Sequence, residues 1–266
     1  MRHRDKKEKE SEPVADSNIN IYLYYANIMD YFRVVSSMYA FYISKKNPVL
    51  FVICYFISFI LDAFDGMVAR AHNQTSKLGA TLDMVTDRIS TAGLLAVLSG
   101  FYSEYSTIFV YLIMLDVGSH WLQTHSGFLV NVKNDNHKNL GEKFFLLKLY
   151  YTNRNVLGIV CLGAEVFLLL LYFNHFYPKL MENQCYLYFF YVNFVIYAFK
   201  QLISIIQIFG ASSRIAVWDA KEATEKLKEK VFQKKKIKIL LKLKKKENQV
   251  KKAKSRKRKR KKVKKM

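Results

Sequence analysis

Apolar residues along this chain gather into long unbroken runs instead of alternating with polar ones. Six runs stand out, at 27–44, 49–69, 80–101, 105–125, 155–176 and 186–209. Each is about 18–24 residues, enough for a helix to cross a hydrocarbon layer of about 30 Å. Only three prolines and ten glycines interrupt 266 residues, so helices are expected throughout. A β-barrel would instead show shorter, alternating segments. The predicted fold is all-α: a polytopic membrane protein with six transmembrane helices and a basic C-terminal tail. Residues 18–26 (NINIYLYYA) predict a short interfacial helix, because tyrosine favours the membrane–water boundary. The longest connection is 126–154, within which 144–151 reads as a segment lying on the membrane surface.

Four aspartates break the apolar pattern, at 62, 65, 83 and 87. A charge at mid-membrane costs roughly 2.5–3.5 kcal/mol on insertion scales, so four together need neutralisation. Asp62 and Asp65 are i, i+3, and Asp83 and Asp87 are i, i+4, so each pair shares one helix face. Two facing helices would converge all four on one spot near a membrane face. Hard oxygen ligands of this kind suit Mg²⁺ or Mn²⁺, two ions being expected, with substrate phosphates in the remaining positions. Gly66 and Gly79 would let a backbone or a ligand come close.

The net charge of +22 belongs to one end. Residues 221–266 hold 24 Lys/Arg against 4 Glu, and the first 16 residues balance five basic against five acidic side chains. The predicted organisation is a disordered 1–17, a membrane domain over 18–220, and a tail over 221–266 that begins as a basic amphipathic helix (221–250) and ends disordered. Such a tail suits an anionic lipid surface. Nucleic acid is not its expected partner, and Lys262 and Lys264 fit a lysine-based retrieval signal. Positive loops put both termini and the aspartates on the cytosolic side. Cys54, Cys161 and Cys185 have no framework spacing and read as small buried residues. No cleavable signal peptide is visible.

The string Asp62-x-x-Asp65-Gly66-x-x-Ala69-Arg70, then eight residues, then Gly79-x-x-x-Asp83-x-x-x-Asp87 resembles the signature of the CDP-alcohol phosphatidyltransferases at all eight defining positions. The segments LDVGSHWLQTHS (115–126), YYTNRNVLG (150–158) and LISIIQ (202–207), with Asp219-Ala220, are similar to the eukaryotic phosphatidylinositol synthases within that family. The likeness covers about 20–220 and leaves out the basic tail. Where relatives often have Pro-Asn, this chain has Ala26-Asn27, while Asn27 and Arg33 remain.

The resemblance implies a six-helix membrane core with a cytosol-facing polar cavity, CDP-diacylglycerol as donor, myo-inositol as acceptor, and phosphatidylinositol and CMP as products. It implies metal ligation by Asp62, Asp65, Asp83 and Asp87, with Asp87 also accepting a proton. Gly66, Ala69, Arg70, Ser76 and Asn27 would contact the donor head. It further implies a homodimer among membrane lipids in the endoplasmic reticulum or Golgi. Asp87 lies one turn beyond Asp83 and would reach toward the acceptor hydroxyl, which needs a base at neutral pH. For the acceptor, Asp116 and His120 share a face of the fourth span and read either as polyol partners or as a structural pair. Arg154 reads as a cavity residue or an interfacial anchor. Glu165 and Lys200 read as an interhelical pair. Other acceptors (serine, glycerol phosphate, inositol phosphate) and a divalent-cation transporter are the alternatives.

Overall fold

A computed structural model describes residues 20–132 and 145–263, and the regular elements among them are all helical. A single 3₁₀ turn (Ile21–Leu23) precedes α1 (Tyr25–Ile43), followed by α2 (Pro48–Ala71), α3 (Lys77–Phe101), α4 (Ser106–Val132), α5 (Phe145–Thr152), α6 (Arg154–Phe176) and α7 (Gln184–Val263). The chain separates into two units, Met1–Leu122 with Phe144–Ile208, and Gln123–Lys143 with Phe209–Met266.

Local sequence sets the α2–α3 hairpin. Asn47 caps α2, its side chain accepting the Leu50 amide at 3.0 Å, with Pro48 in the first turn, where a missing N–H costs nothing. After Ala71 the chain reverses through Asn73, at φ 54°, a left-handed conformation that asparagine tolerates better than most residues. The Gln74 amide closes this turn on the Ala69 carbonyl at 2.8 Å. Ser76 then caps α3, accepting the Gly79 amide at 2.9 Å. α1 is pinned to the same turn: the Tyr25 amide donates to Gln74 Oε1 at 2.9 Å, and the Tyr25 ring meets His72 edge-on at 4.8 Å.

The first unit's core joins Ala40 of α1, Phe51 and Tyr55 of α2, Leu94 and Leu98 of α3, Phe109 of α4, Leu168 and Tyr172 of α6 and Tyr197 of α7. Phe51 and Tyr172 stack at 4.1 Å. Polar residues also lie inside: Ser37 Oγ donates to Ser58 Oγ at 3.1 Å between α1 and α2. Apolar residues point outward. On α2, Ile53, Ile57, Ile60, Phe64 and Met67 are all exposed, at the three- and four-residue steps of one helix face. A contiguous apolar face of this kind belongs against lipid or a partner.

By length and composition, three helices suffice to cross a membrane: Pro48–Ala71, Asn155–Phe176 and the Gln184–Lys238 part of α7. The other three expected spans coincide with α1, α3 and α4, which are long enough but carry Asp30 and Arg33, Asp83, Asp87 and Arg88, and Asp116 and His120. In the second unit, the Arg214 guanidinium donates to Ser126 Oγ at 2.9 and 3.1 Å and also to Gln123. α7 runs to Val263, so the stretch expected to be disordered after 250 is helical over 251–263. No glycine or proline follows Gly210, and lysine, arginine, leucine and glutamate are good helix formers. An i, i+4 pair, Glu222–Lys226 at 2.6 Å, supports it. The expected disorder over 1–17 and the lysines at 133, 138, 143 and 264 lie outside the described residues.

Candidate active site

The hairpin fixes which aspartates meet. Asp65 lies six residues before the end of α2, and Asp83 six residues after the start of α3, so both stand about 9 Å from the turn. Asp62 and Asp87 stand one turn further away. Asp30, Asp65 and Asp83 accordingly bring carboxylate oxygens within 4.8 Å of one another, and so do Asp62, Asp83 and Asp87. Asp83 belongs to both groups.

Asp30 was not expected. It comes from α1, one turn before Arg33, and both side chains are almost wholly buried. The Arg33 guanidinium lies at the centre of the five acids. Nη1 reaches Asp30 at 2.8 Å, Asp65 at 3.1 Å and Asp83 at 3.2 Å, and Nη2 pairs with Asp62 and Asp87. The sequence signal was present: an i, i+3 Asp–Arg pair inside a span is costly unless it serves a polar centre.

The donor set fits divalent cations. Five carboxylates face one shared guanidinium plus part of Arg88, which leaves an anionic excess. Asp62 Oδ1 is sealed from solvent and touches Arg33, yet receives no hydrogen bond of proper geometry. All-oxygen, carboxylate-rich ligation suits Mg²⁺ or Mn²⁺.

Two cavities meet at this centre. The smaller, about 220 Å³, is lined by Asn27, Asp30, Asp65, Gly66, Ala69, Arg70, Ser76, Gly79 and Asp83. It therefore gathers all five residues expected at the donor head. Asn27 Nδ2 donates to the Ile21 carbonyl at 2.7 Å. A Cβ on Gly79 would meet Asn27 Oδ1 at 2.8 Å, so this glycine is where α3 approaches α1. A Cβ on Gly66 would lie 3.3 Å from the Arg70 guanidinium, which is exposed and makes no ion pair among the described residues. Ser76 spends one of its two oxygen lone pairs on the helix cap and keeps its hydroxyl proton to donate.

The larger cavity, about 1080 Å³, is lined by Arg33, Tyr55, Asp62, Arg70, Asp87, Arg88, Thr91, Asn155, Glu165 and Lys200, among others. Asp62 and Asp87 thus face the larger space, while Asp30, Asp65 and Asp83 face the smaller.

Asp116 and His120 line neither cavity. Asp116 is buried and holds Arg88 through both oxygens, at 3.0 and 3.1 Å, and Lys200 at 3.3 Å. His120 Nδ1 lies 2.8 Å from the Asp116 carbonyl and Nε2 lies 3.4 Å from Arg88 Nη1. Both contacts are met by a neutral ring with its proton on Nδ1. These two residues hold Arg88, which the sequence reading missed because its partners lie on another helix. The side chain of Arg154 lies outside the described residues. The expected Glu165–Lys200 pair is not formed. Lys200 is taken by Asp116, and Glu165 accepts hydrogen bonds from Tyr55 Oη at 2.9 Å and Thr91 Oγ1 at 2.8 Å.

Comparison with known proteins finds relatives of this chain. The chain is 37% identical over 206 residues to the CDP-diacylglycerol–inositol 3-phosphatidyltransferase of Saccharomyces cerevisiae, covering 77% of this chain and 91% of that one. It is 37% identical over 212 residues to the Homo sapiens protein of the same name, covering 78% and 98%. It is 44% identical over 156 residues to the "probable CDP-diacylglycerol–inositol 3-phosphatidyltransferase 2" of Arabidopsis thaliana, covering 58% and 68%. No solved structure matches. The family description that matches residues 23–171 is CDP-alcohol phosphatidyltransferase, a stretch holding every carboxylate of the centre and most of both cavity linings, and the chain belongs to that family.

Proposed function

We propose that this chain transfers the phosphatidyl group of CDP-diacylglycerol to myo-inositol, releasing CMP and forming phosphatidylinositol. The observation that carries the reading is the division of one carboxylate centre between two cavities. The small cavity suits the cytidine diphosphate head, and the large one has room for acceptor and lipid. The relatives' names supply the two substrates.

Asp62, Asp65, Asp83 and Asp87 would hold two divalent ions, with Asp30 as a fifth carboxylate beside Asp65 and Asp83. Bound cations supply neutralisation of the diphosphate and of the departing CMP. The chain's own groups do the rest. Asn27, Gly66, Ala69, Arg70 and Ser76 seat the donor head. Arg70, exposed at the rim of both cavities, offers a planar fork of donors to a phosphate. The acceptor hydroxyl oxygen attacks the phosphorus that bears diacylglycerol. The phosphorus–oxygen bond to CMP breaks, CMP leaves with the electron pair, and the hydroxyl proton passes to Asp87. Arg88 touches Asp87 Oδ2 at 3.4 Å and is anchored from behind by Asp116 and His120, so these two act through Arg88. Arg154, at the start of α6, stays a candidate for the acceptor side.

The reading extends to the whole molecule. α1, α3 and α4 complete six spans with α2, α6 and α7, their charged residues turned to the shared centre. The domain comprises 18–220, and the tail from 221 onward lies along anionic lipid. The protein works as a homodimer in the endoplasmic reticulum or Golgi, with the centre on the cytosolic side, where CDP-activated lipid and inositol are met.

The test is an acceptor panel. Purified protein with CDP-diacylglycerol and Mg²⁺ or Mn²⁺ should incorporate labelled inositol into lipid with equimolar CMP. Label entering lipid from serine, glycerol phosphate or inositol phosphate, but not from inositol, overturns the acceptor assignment. Mg²⁺ flux into liposomes without CMP production overturns the enzyme reading.

A further inference from the structure

We propose that Glu165 reads a hydroxyl of the acceptor and makes the large cavity select an uncharged polyol over a phosphorylated one; this rests on the transferase reading above. Glu165 stands on α6, 8% exposed, in the wall of the cavity that also holds Asp87. A carboxylate has about four lone-pair positions. Tyr55 and Thr91 occupy one on each oxygen, at 2.9 and 2.8 Å. Those bonds fix the carboxylate between α2 and α3 and leave a second position on each oxygen, which a ligand hydroxyl in the cavity fills.

The charge pattern sets the class of ligand. Among the described residues, Glu165 has no cation within ion-pair distance. Of the cations lining the cavity, Arg88 and Lys200 are already bound to Asp116, Arg33 is bound to the acids of the centre, and Arg70 seats the donor head in the reading above. Glu165 therefore stands without a counter-cation, and no cation is left over for a phosphate on the acceptor. A phosphate would meet repulsion here, whereas a neutral hydroxyl donates to the carboxylate and gains a charge-assisted hydrogen bond.

Spacing sets the position. Thr91 is i+4 from Asp87 on α3, so the hydroxyl that anchors Glu165 stands about one helical turn, roughly 6 Å, from the proton acceptor. Glu165 therefore reads a hydroxyl other than the one that attacks.

The experiment measures steady-state kinetics with inositol, a series of mono-deoxyinositols and inositol monophosphate, for the wild type and Glu165→Gln. The expected result is a KM for inositol raised at least tenfold, with the KM for CDP-diacylglycerol unchanged within twofold. The wild type should discriminate at least tenfold against the deoxyinositol lacking the hydroxyl that Glu165 reads, and Glu165→Gln should lose discrimination at that one ring position alone. The ratio of inositol monophosphate to inositol use should rise at least tenfold in Glu165→Gln. An unchanged inositol KM, or an equal loss across the whole deoxy series, overturns the proposal, since a merely structural role gives the second pattern. If Glu165→Gln does not fold, Thr91→Ala and Tyr55→Phe take its place. They free the carboxylate without removing it, and should raise the inositol KM three- to tenfold with the donor KM unmoved; no shift overturns the proposal. Failure of the wild type to use inositol at all marks failure of the transferase reading instead.

Discussion

Gly79 shows how a family signature position can be explained by packing, and it makes a quantitative prediction. Gly79 is the third residue of α3, and an added Cβ would sit 2.8 Å from Asn27 Oδ1 and 3.2 Å from Ser76 Oγ. Asn27 has nowhere easy to go, being buried and held to the Ile21 carbonyl at 2.7 Å. In Gly79→Ala, overpacking costs about 1–3 kcal/mol, and disturbing the Asn27 hydrogen bond costs about 1 kcal/mol more. The better helix propensity of alanine returns about 0.5–1 kcal/mol. The net loss is about 1–3 kcal/mol, or ~2–9 °C in melting temperature at ~2–3 °C per kcal/mol. Asn27→Ala removes the obstructing oxygen, so Gly79→Ala made on top of it should cost almost nothing. Gly100→Ala is the control, because nothing lies within 4 Å of its Cβ. The assay is thermal unfolding of the detergent-purified protein as a double-mutant cycle. A coupling of at least 1 kcal/mol is expected. Additivity within about 0.3–0.5 kcal/mol would refute a close approach of α1 and α3 at this point.

Four other outcomes follow from the same geometry. Asp116→Asn should destabilise the protein by about 3–5 kcal/mol in thermal unfolding, because Arg88 and Lys200 lose a buried counter-ion. Ser76→Ala should lose about 1 kcal/mol of stability through the lost cap, and Ser76→Asp should recover it. Asp87→Asn should lower kcat at least a hundredfold, since it removes the proton acceptor together with one ligand of the group Asp62, Asp83 and Asp87. Arg33→Gln should lower the melting temperature without metal and make it rise more steeply with added Mg²⁺ than in wild type, because the five acids lose their shared cation; an unchanged metal response contradicts that role.

The sequence was most informative where spacing alone decides geometry. Run lengths gave the positions of six long helices, and the spacing of Asp62, Asp65, Asp83 and Asp87 anticipated that their carboxylates converge, because a short hairpin folds its two halves onto each other. Interactions across helices were less legible. Glu165 and Lys200 lie at similar depth, so they looked like partners, but the rotations of α6 and α7 give one to Tyr55 and Thr91 and the other to Asp116. Those rotations are set by packing such as Phe51 on Tyr172, which no local pattern reports. Arg88 was hidden for the same reason. Asp30 escaped notice because it lies outside the signature, on a different helix from the four aspartates of the motif. The basic tail was misjudged at its end, where charge was weighed above the absence of any helix breaker.

The central claim is that one carboxylate centre holds two divalent ions and that Asp83 serves both. Electron paramagnetic resonance titration of the purified protein with Mn²⁺ tests it directly. The expected stoichiometry is two ions for wild type, one for Asp65→Asn and for Asp62→Asn, and none of comparable affinity for Asp83→Asn. Wild-type Mn²⁺ binding in Asp83→Asn would contradict the account.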